Sequence, residues 1–246
     1  MESAFSLDKV FYEQINEKMT SLGYKYVRKY KMFMKVANDI LLKYFYLEKL
    51  SMTDKDSKSF ILSGNIRSFF ADSFDKKNLM LRSMRNNSFI DIKMGFKNEY
   101  LKEYCCNIFQ IDEVMKQSII DFENGLLKEI DTIESFKEYI DYCHLYNHRQ
   151  ISRATKFECD SLALIVSDDH DDMKGKLHST FTAFEQVDGK ESAERQYPLF
   201  HSAIVELVAG ERDKVYNNPI LYKEALEEAE RRKEANTQTL MTLKLI

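Results

Sequence analysis

Two histidines, His144 and His148, have the four-residue spacing that places a pair of metal ligands on one side of a helix. A zinc site needs a third ligand, and no glutamate stands between them as in the H-E-x-x-H pattern of metalloproteases. The acidic segment Asp168–Asp172 is rich in oxygen ligands for a divalent cation, but it lacks the glycine of an EF-hand loop. It is more simply interpreted as a turn in which Asp171 or Asp172 caps the next helix. We therefore expect no bound metal.

The remaining reactive residues form no recognisable catalytic set. The seven glycines form neither a dinucleotide-binding motif nor a phosphate loop, and no GxSxG elbow occurs. The cysteines Cys105, Cys106, Cys143 and Cys159 show no CxxC spacing, which favours reduced thiols. A Cys–His dyad through Cys143 or Cys159 stays open, because such partners meet in space rather than in sequence. We name no catalytic residue and no cofactor, and we expect a binding protein rather than an enzyme.

The strongest candidate for a partner surface is a basic and aromatic face of the predicted sheet. In residues 24–36, tyrosine, methionine and valine occupy most of the even positions and lysine recurs at the odd ones, which predicts a half-buried strand. The outward positions here and in the neighbouring strands are Lys25, Lys29, Lys31, Phe33, Lys35, Lys43, Phe45 and Lys93. Positive charge interleaved with rings is typical of platforms for single-stranded nucleic acid. Alternatively, the lysines keep an open sheet soluble and cover the two rings with their stems.

A change of pattern near residue 100 predicts the fold class. Before it, an amphipathic helix from Leu7 to Leu22 is expected, with Ser6 as its N-cap and Gly23 after its last turn. We expect its apolar stripe to pack on the even face of the sheet, formed by Tyr26, Tyr30 and Met32. Four strands are predicted at 24–36, 40–49, 60–68 and 88–97, with a tight turn at 37–39 and a bulge at Gly64.

After the change, the pattern keeps a helical period to the end. Helices are predicted near 99–109, 111–130, 133–146, 157–167, 173–186, 199–209 and 221–236. Short breaks between them favour antiparallel neighbours. The sequence thus predicts an α+β protein: an N-terminal helix on a four-stranded antiparallel sheet, followed by a C-terminal helical-hairpin region. We place the division between residues 1–104 and 105–246, and leave open whether the two parts pack as one domain.

Charge is distributed unevenly along the 246 residues. The net charge is −4, but residues 1–110 carry +6 and residues 111–246 carry −10. Such polarity suits an acidic partner or nucleic acid, and it equally suits attraction between the two halves. No secretory leader and no apolar run of about 18 residues is visible, so we expect a cytoplasmic protein without a membrane partner.

The N-terminal half combines Phe11 in the first helix, the segment Leu22-Gly23-Tyr24-Lys25, a strand ending near Phe33, and the aromatic strand 40–49. In this pattern it resembles a bacterial family known as domain of unknown function 4304. This chain has Gly-Tyr where the family most often has Gly-Phe. The resemblance implies a helix, an antiparallel sheet and further helices, and an association with bacterial conflict or immunity systems. It implies no settled activity and no catalytic residue.

Two functions follow as hypotheses. The first is a non-enzymatic cytoplasmic binding protein whose partner is another protein. The alternative is a single-stranded nucleic-acid-binding protein that uses the basic aromatic sheet face. Salt-sensitive binding of oligonucleotides would distinguish them, because contacts to phosphates release counterions.

Overall fold

The computed structural model describes residues 6–38, 40–50, 57–70, 73–77, 79, 102–139 and 219–246. In chain order its elements are α1 (Leu7–Ser21), β1 (Lys25–Val27), β2 (Met32–Ala37), β3 (Leu41–Leu50), β4 (Ser57–Ser68), β5 (Tyr104–Asn107), α2 (Ile111–Phe122), the π-helical turn π1 (Glu123–Leu127), α3 (Lys128–Asp131) and α4 (Pro219–Thr242). An N-terminal helix, an antiparallel sheet and further helices confirm the α+β class.

The described residues belong to two compact units. Those up to residue 66 and those from 102 to 134 form the first unit, which contains α1, nearly all of the sheet, and α2 to α3. Residues 67–79, 135–139 and 219–244 belong to the second unit, which contains α4. The predicted division between residues 104 and 105 lies within β5, and the residues on both sides of it belong to the first unit.

Helix α1 begins and ends close to the predicted residues. Ser6 is the N-cap in an extended conformation, although its side chain makes no capping hydrogen bond. At the other end, the N–H of Gly23 donates to the carbonyl of Thr20 (3.0 Å) and the N–H of Tyr24 to that of Met19 (2.9 Å). These are the two hydrogen bonds of a Schellman motif, and the φ of +85° at Gly23 supplies the left-handed residue that the motif requires.

In the described part of the chain the sheet has five strands in the order β1-β2-β3-β4-β5, so the predicted number of four is not confirmed. The predicted strand 24–36 is a hairpin of β1 and β2, with Lys25 opposite Met34 and Val27 opposite Met32. The turn between them, residues 28–31, contains no glycine, proline or asparagine. Lys31 instead adopts the left-handed conformation, with a φ of 57°. The turn predicted at 37–39 is confirmed at Asn38, which has the positive φ, 51°, that such a turn favours.

Helix predictions after residue 98 have mixed outcomes. The helix predicted at 99–109 is wrong where it is described, because residues 104–107 form β5, antiparallel to β4. The helix predicted at 111–130 is confirmed as α2, π1 and α3, and that at 221–236 lies within α4. Of the helix at 133–146, residues 136–139 are helical. The strand predicted at 88–97 and the helices predicted at 157–167, 173–186 and 199–209 lie outside the described residues.

Side chains on both faces of the central strand are buried. Residues 41–48 of β3 are buried without exception. One face carries Tyr26, Phe33 and Phe45, which are opposite one another in successive strands and therefore project to the same side. Met32, the neighbour of Phe33 along β2, projects to the other side.

Helices cover the Phe33 side of the sheet. From α1, the Phe11 ring meets Phe33 edge-on at 6.0 Å. From α2, the Phe122 ring meets Phe45 edge-on at 5.1 Å. The prediction that α1 packs on the even face of Tyr26, Tyr30 and Met32 is therefore wrong, although Tyr26 itself lies beneath the helix. Because of the four-residue turn between β1 and β2, even-numbered residues of β1 and odd-numbered residues of β2 face α1.

Gly64 of β4 lies under an aromatic ring. A Cβ atom at this position would overlap the Phe45 ring and would lie 3.0 Å from the carbonyl oxygen of Tyr44. The glycine predicted as a bulge site therefore serves a close approach between the Phe45 ring and the neighbouring backbone.

The second unit has its own buried polar contact. Asn236 of α4 is almost completely buried. Its Oδ1 accepts a hydrogen bond from the N–H of Phe74 (2.8 Å), and its Nδ2 donates to the carbonyl of Phe69 (2.9 Å). The side-chain amide therefore provides hydrogen-bond partners for both of these backbone groups. The rings of Phe69 and Phe74 meet edge-on at 5.4 Å. Among the described helices, none is long and apolar enough to cross a membrane.

Candidate functional site

The aromatic half of the predicted partner surface is buried. Phe33 and Phe45 have no exposed area. Tyr24 covers Phe45 at a ring distance of 5.3 Å, and Tyr12 lies parallel to Phe33 at 6.0 Å. The prediction that Phe33 and Phe45 point outward among the lysines is therefore wrong, because α1 packs on Phe33 and the later helix α2 packs on Phe45. Neither ring is open to a base.

Two of the predicted lysines bind the end of a helix. Lys43 is completely buried, and its Nζ donates to the main-chain carbonyl of Asp131 (2.8 Å) and to Glu134 Oε1 (3.3 Å). Lys35 Nζ donates to Asp131 Oδ1 (3.1 Å), to which the hydroxyl of Tyr24 also donates (2.9 Å). Asp131 is the last residue of α3, so its carbonyl has no partner within the helix. Lys43 provides that partner at the negative end of the helix dipole.

The charges of this cluster suit a structural role. Burial lowers the pKa of Lys43, and the carboxylate of Glu134 opposes that shift. Burial also raises the pKa of Tyr24, and the adjacent Asp131 carboxylate raises it further, so that the tyrosine stays a neutral donor. Each of these polar groups has a partner from the helix end. Together they attach the end of α3 to β2 and β3.

The exposed lysines of the predicted surface lie at the hairpin. Lys25 and Lys29 are exposed. Lys31 Nζ and Lys49 Nζ each lie 2.7 Å from the same oxygen, Oδ2 of Asp8 in the first turn of α1. Lys93 lies outside the described residues.

Asp8 is held ionised by its two lysines. Burial by itself would raise the pKa of this carboxyl, but the hydrogen bonds and charges of Lys31 and Lys49 outweigh that effect and leave the pKa lowered. Sequence reasoning identified Lys31 but not its partner. From the sequence alone, Asp8 indicates only a favourable negative charge in the first turn of α1.

A second exposed feature lies after β5, which is the end strand of the described sheet. We call residues Asn107–Gln110 the apolar turn. Phe109 is 94% exposed and Ile108 46% exposed. Asn107 Oδ1 accepts hydrogen bonds from the N–H of Phe109 (3.0 Å) and of Gln110 (3.1 Å), and its carbonyl accepts another from Gln110 (3.2 Å). The helix predicted at 99–109 includes most of this turn, so the turn was not predicted; Asn107 was the available signal.

A buried carboxyl connects two central strands. Glu48 of β3 is 5% exposed, and its Oε2 accepts a hydrogen bond from Ser63 Oγ of β4 (3.2 Å). Burial raises the pKa of Glu48, against the effect of that hydrogen bond. A raised carboxyl pKa occurs in catalytic sites and in cores alike. Here the contact joins neighbouring strands.

The metal predictions can be tested only in part. In the described portion of the chain, no three side chains of the metal-binding types come together. His144, His148, Asp168–Asp172, Cys143 and Cys159 lie outside that portion. Cys105 is exposed and Cys106 is buried, on opposite sides of β5.

The chain matches no family model, no curated protein and no solved structure. The resemblance of its N-terminal half to domain of unknown function 4304 therefore stays a prediction.

Proposed function

We propose that this protein is a non-enzymatic cytoplasmic binding protein whose partner is another protein, and that the apolar turn is its main contact. The observation that carries the proposal is the 94% exposure of Phe109 beside the half-exposed Ile108. Aromatic side chains are enriched at the centre of protein interfaces, where a few of them provide most of the binding energy.

The energetics favour this turn as an anchor. Burying a fully exposed phenylalanine contributes about 1.5–3 kcal/mol, and this chain leaves that contribution unused at Phe109. The hydrogen bonds from Phe109 and Gln110 to Asn107 fix the backbone before a partner arrives. A fixed backbone reduces the conformational entropy lost on binding. We expect the partner to present an apolar pocket that accepts the ring.

The nucleic-acid alternative on the sheet face is weakened, because its stacking rings, Phe33 and Phe45, are buried. An association with bacterial conflict or immunity systems is part of the proposal through the family resemblance alone.

The test compares Phe109→Ser with a matched exposed apolar position. The wild-type chain and both variants are used to capture partners from native cytoplasm, and the captured protein is then purified and titrated by calorimetry. We expect Phe109→Ser to weaken binding at least about tenfold. Met241→Ser, at a residue 51% exposed in α4, should bind as the wild type does.

Stability separates binding from folding in this test. Both serine variants should unfold within about 0.5 kcal/mol of the wild type, because both positions are on the surface. Equal affinity of the Phe109→Ser variant and the wild type for the purified partner would exclude the apolar turn as the contact.

A further inference from the structure

A different surface lies where α1 meets the hairpin. We call it the tyrosine–lysine seam and define it by Tyr12 of α1, Tyr26 of β1, Arg28 and Lys31 of the turn, and Lys49 of β3. Both tyrosines are half-buried, and the three basic residues are exposed. It belongs to the β1 end of the sheet, whereas the apolar turn follows β5 at the other end.

The rings of the seam form an aromatic layer with one buried side. Tyr12 and Tyr26 lie 4.6 Å apart at a tilt of 48°. Beneath them is the buried Phe33, 6.0 Å from Tyr12 and 4.9 Å from Tyr26. Burial raises the pKa of Tyr26, and the nearby Asp8 adds to that rise, whereas Lys31 and Arg28 oppose it. These charged groups therefore lie near the Tyr26 ring, which remains partly exposed.

The ammonium groups of the seam are already arranged around an anion. Lys31 Nζ and Lys49 Nζ touch one oxygen of Asp8, so they lie side by side. The two side chains are 54% and 48% exposed. An ammonium group has three donors, and one contact to Asp8 leaves further donors on each nitrogen directed to solvent.

The local charge differs in sign from that of the whole chain. The seam carries three basic residues, Arg28, Lys31 and Lys49, and the exposed Lys29 lies beside them, while the chain carries −4. The carboxylate of Asp8 pairs with Lys31 and Lys49. A positive patch on a negative protein concentrates anions at that place. The Lys31–Lys49–Asp8 group has a net charge of +1, which suits a singly charged phosphodiester.

We propose that the tyrosine–lysine seam binds single-stranded nucleic acid, with a base against the Tyr12 and Tyr26 rings and the adjoining phosphate at Lys31 and Lys49. Single strands are favoured because their bases are free to stack on protein rings, whereas those of a duplex stack on each other. An acidic peptide would use the charges of the seam but would leave its rings unused.

The test measures fluorescence anisotropy of a labelled oligothymidylate with the full chain over a range of salt concentrations. Lys31→Gln and Lys49→Gln should each weaken binding and reduce the slope of log affinity against log salt by about one. Tyr26→Leu should weaken binding about tenfold through lost stacking. Lys102→Gln is the matched control, because Lys102 is 61% exposed just before β5 and pairs with Asp121.

Asp8→Asn provides the sharpest result, because its effect should have the opposite sign. The native carboxylate competes with a phosphate for Lys31 and Lys49, so its neutral amide should strengthen binding several-fold. A purely structural role for Asp8 predicts no gain. Thermal unfolding of each variant confirms that the compared proteins are folded.

Three results would overturn the proposal. They are no salt-sensitive binding by the wild type, equal losses in Lys102→Gln and Lys31→Gln, or tighter binding of an acidic peptide than of the oligothymidylate. None of these results bears on the proposed function, which rests on Phe109 and not on the seam. The Phe109→Ser variant leaves the seam unchanged and should bind the oligonucleotide as the wild type does.

Discussion

Two aspartates of the first unit each bind two lysines from the sheet or its β1–β2 turn, with different consequences. Asp131 receives Lys35 on its carboxylate and the fully buried Lys43 on its main-chain carbonyl. Asp8 receives Lys31 and Lys49 on one carboxylate oxygen, and these two lysines remain about half exposed. The same residue types therefore build a fixed attachment at one site and an accessible charged group at the other.

The difference shows that exposure decides what a lysine contributes. A buried polar group that loses its partner destabilises the fold by about 1–3 kcal/mol, because water cannot replace the lost hydrogen bond. An exposed ion pair contributes about 0.2–1 kcal/mol and is screened by salt. We therefore expect changes at the Asp131 site to affect mainly stability. Changes at the Asp8 site should affect mainly binding.

The largest expected effect tests whether the helix-covered side of the sheet is a core. Phe45→Ala removes a ring that contacts Tyr24 and Phe122 and covers Gly64. We expect a loss of about 3–5 kcal/mol in the free energy of unfolding. Chemical denaturation measures it, with Phe109→Ala as the exposed control. A loss below about 1 kcal/mol would mean that Phe45 is not packed in the core.

A smaller effect is expected for the buried lysine. Lys43→Ala leaves the carbonyl of Asp131 without its donor, so we expect a loss of about 1–3 kcal/mol. Lys31→Ala is the matched change at the other aspartate and should lose less than about 1 kcal/mol. Denaturant titration of both variants makes the comparison. Equal losses would remove the distinction between the two sites.

The smallest effect concerns pH. The pKa of Asp8 is lower in the folded chain than its ordinary value of 3.8. Above pH 3.8 the stability that Asp8 contributes is fully present, and it is lost as the pH falls through the folded pKa. Asp8→Asn should lower stability by less than about 1 kcal/mol at neutral pH and should converge with the wild type in acid. A constant difference between the two proteins down to about pH 2 would contradict this assignment.

Much of the first unit was predictable where the local chemistry is specific. The end of α1 follows from Gly23, and the turn at 37–39 follows from Asn38, because both residue types adopt positive φ readily. The split of residues 24–36 into β1 and β2 was not predictable. Lysine rarely takes the left-handed conformation, so nothing in the residue types distinguished Lys31 from a strand residue.

The candidate sites were harder to predict, because strand alternation assigns side chains to a face but does not say which face is covered. Lys43 and Phe45 are two residues apart in β3 and therefore lie on the same side of the sheet. Both are buried there against α2 and α3, which come some eighty residues later in the chain. Phe109 was hidden for a related reason, since four strand residues, Tyr104–Asn107, are too few to establish a period.

The π-helical turn π1 determines how the residues of α3, which follow it, are rotated about the helix axis. A residue in a regular α-helix advances about 100° around the axis, so inserting or removing one residue turns the remainder by that amount. On the near side of π1, Phe122 faces Phe45; on the far side, Asp131 faces Lys35 and Lys43. A chain shortened by one residue within 123–127 could keep an unbroken helix yet would rotate Asp131 away from its lysines. The irregular turn is thus a length adjustment that lets one helix make two correctly aimed contacts.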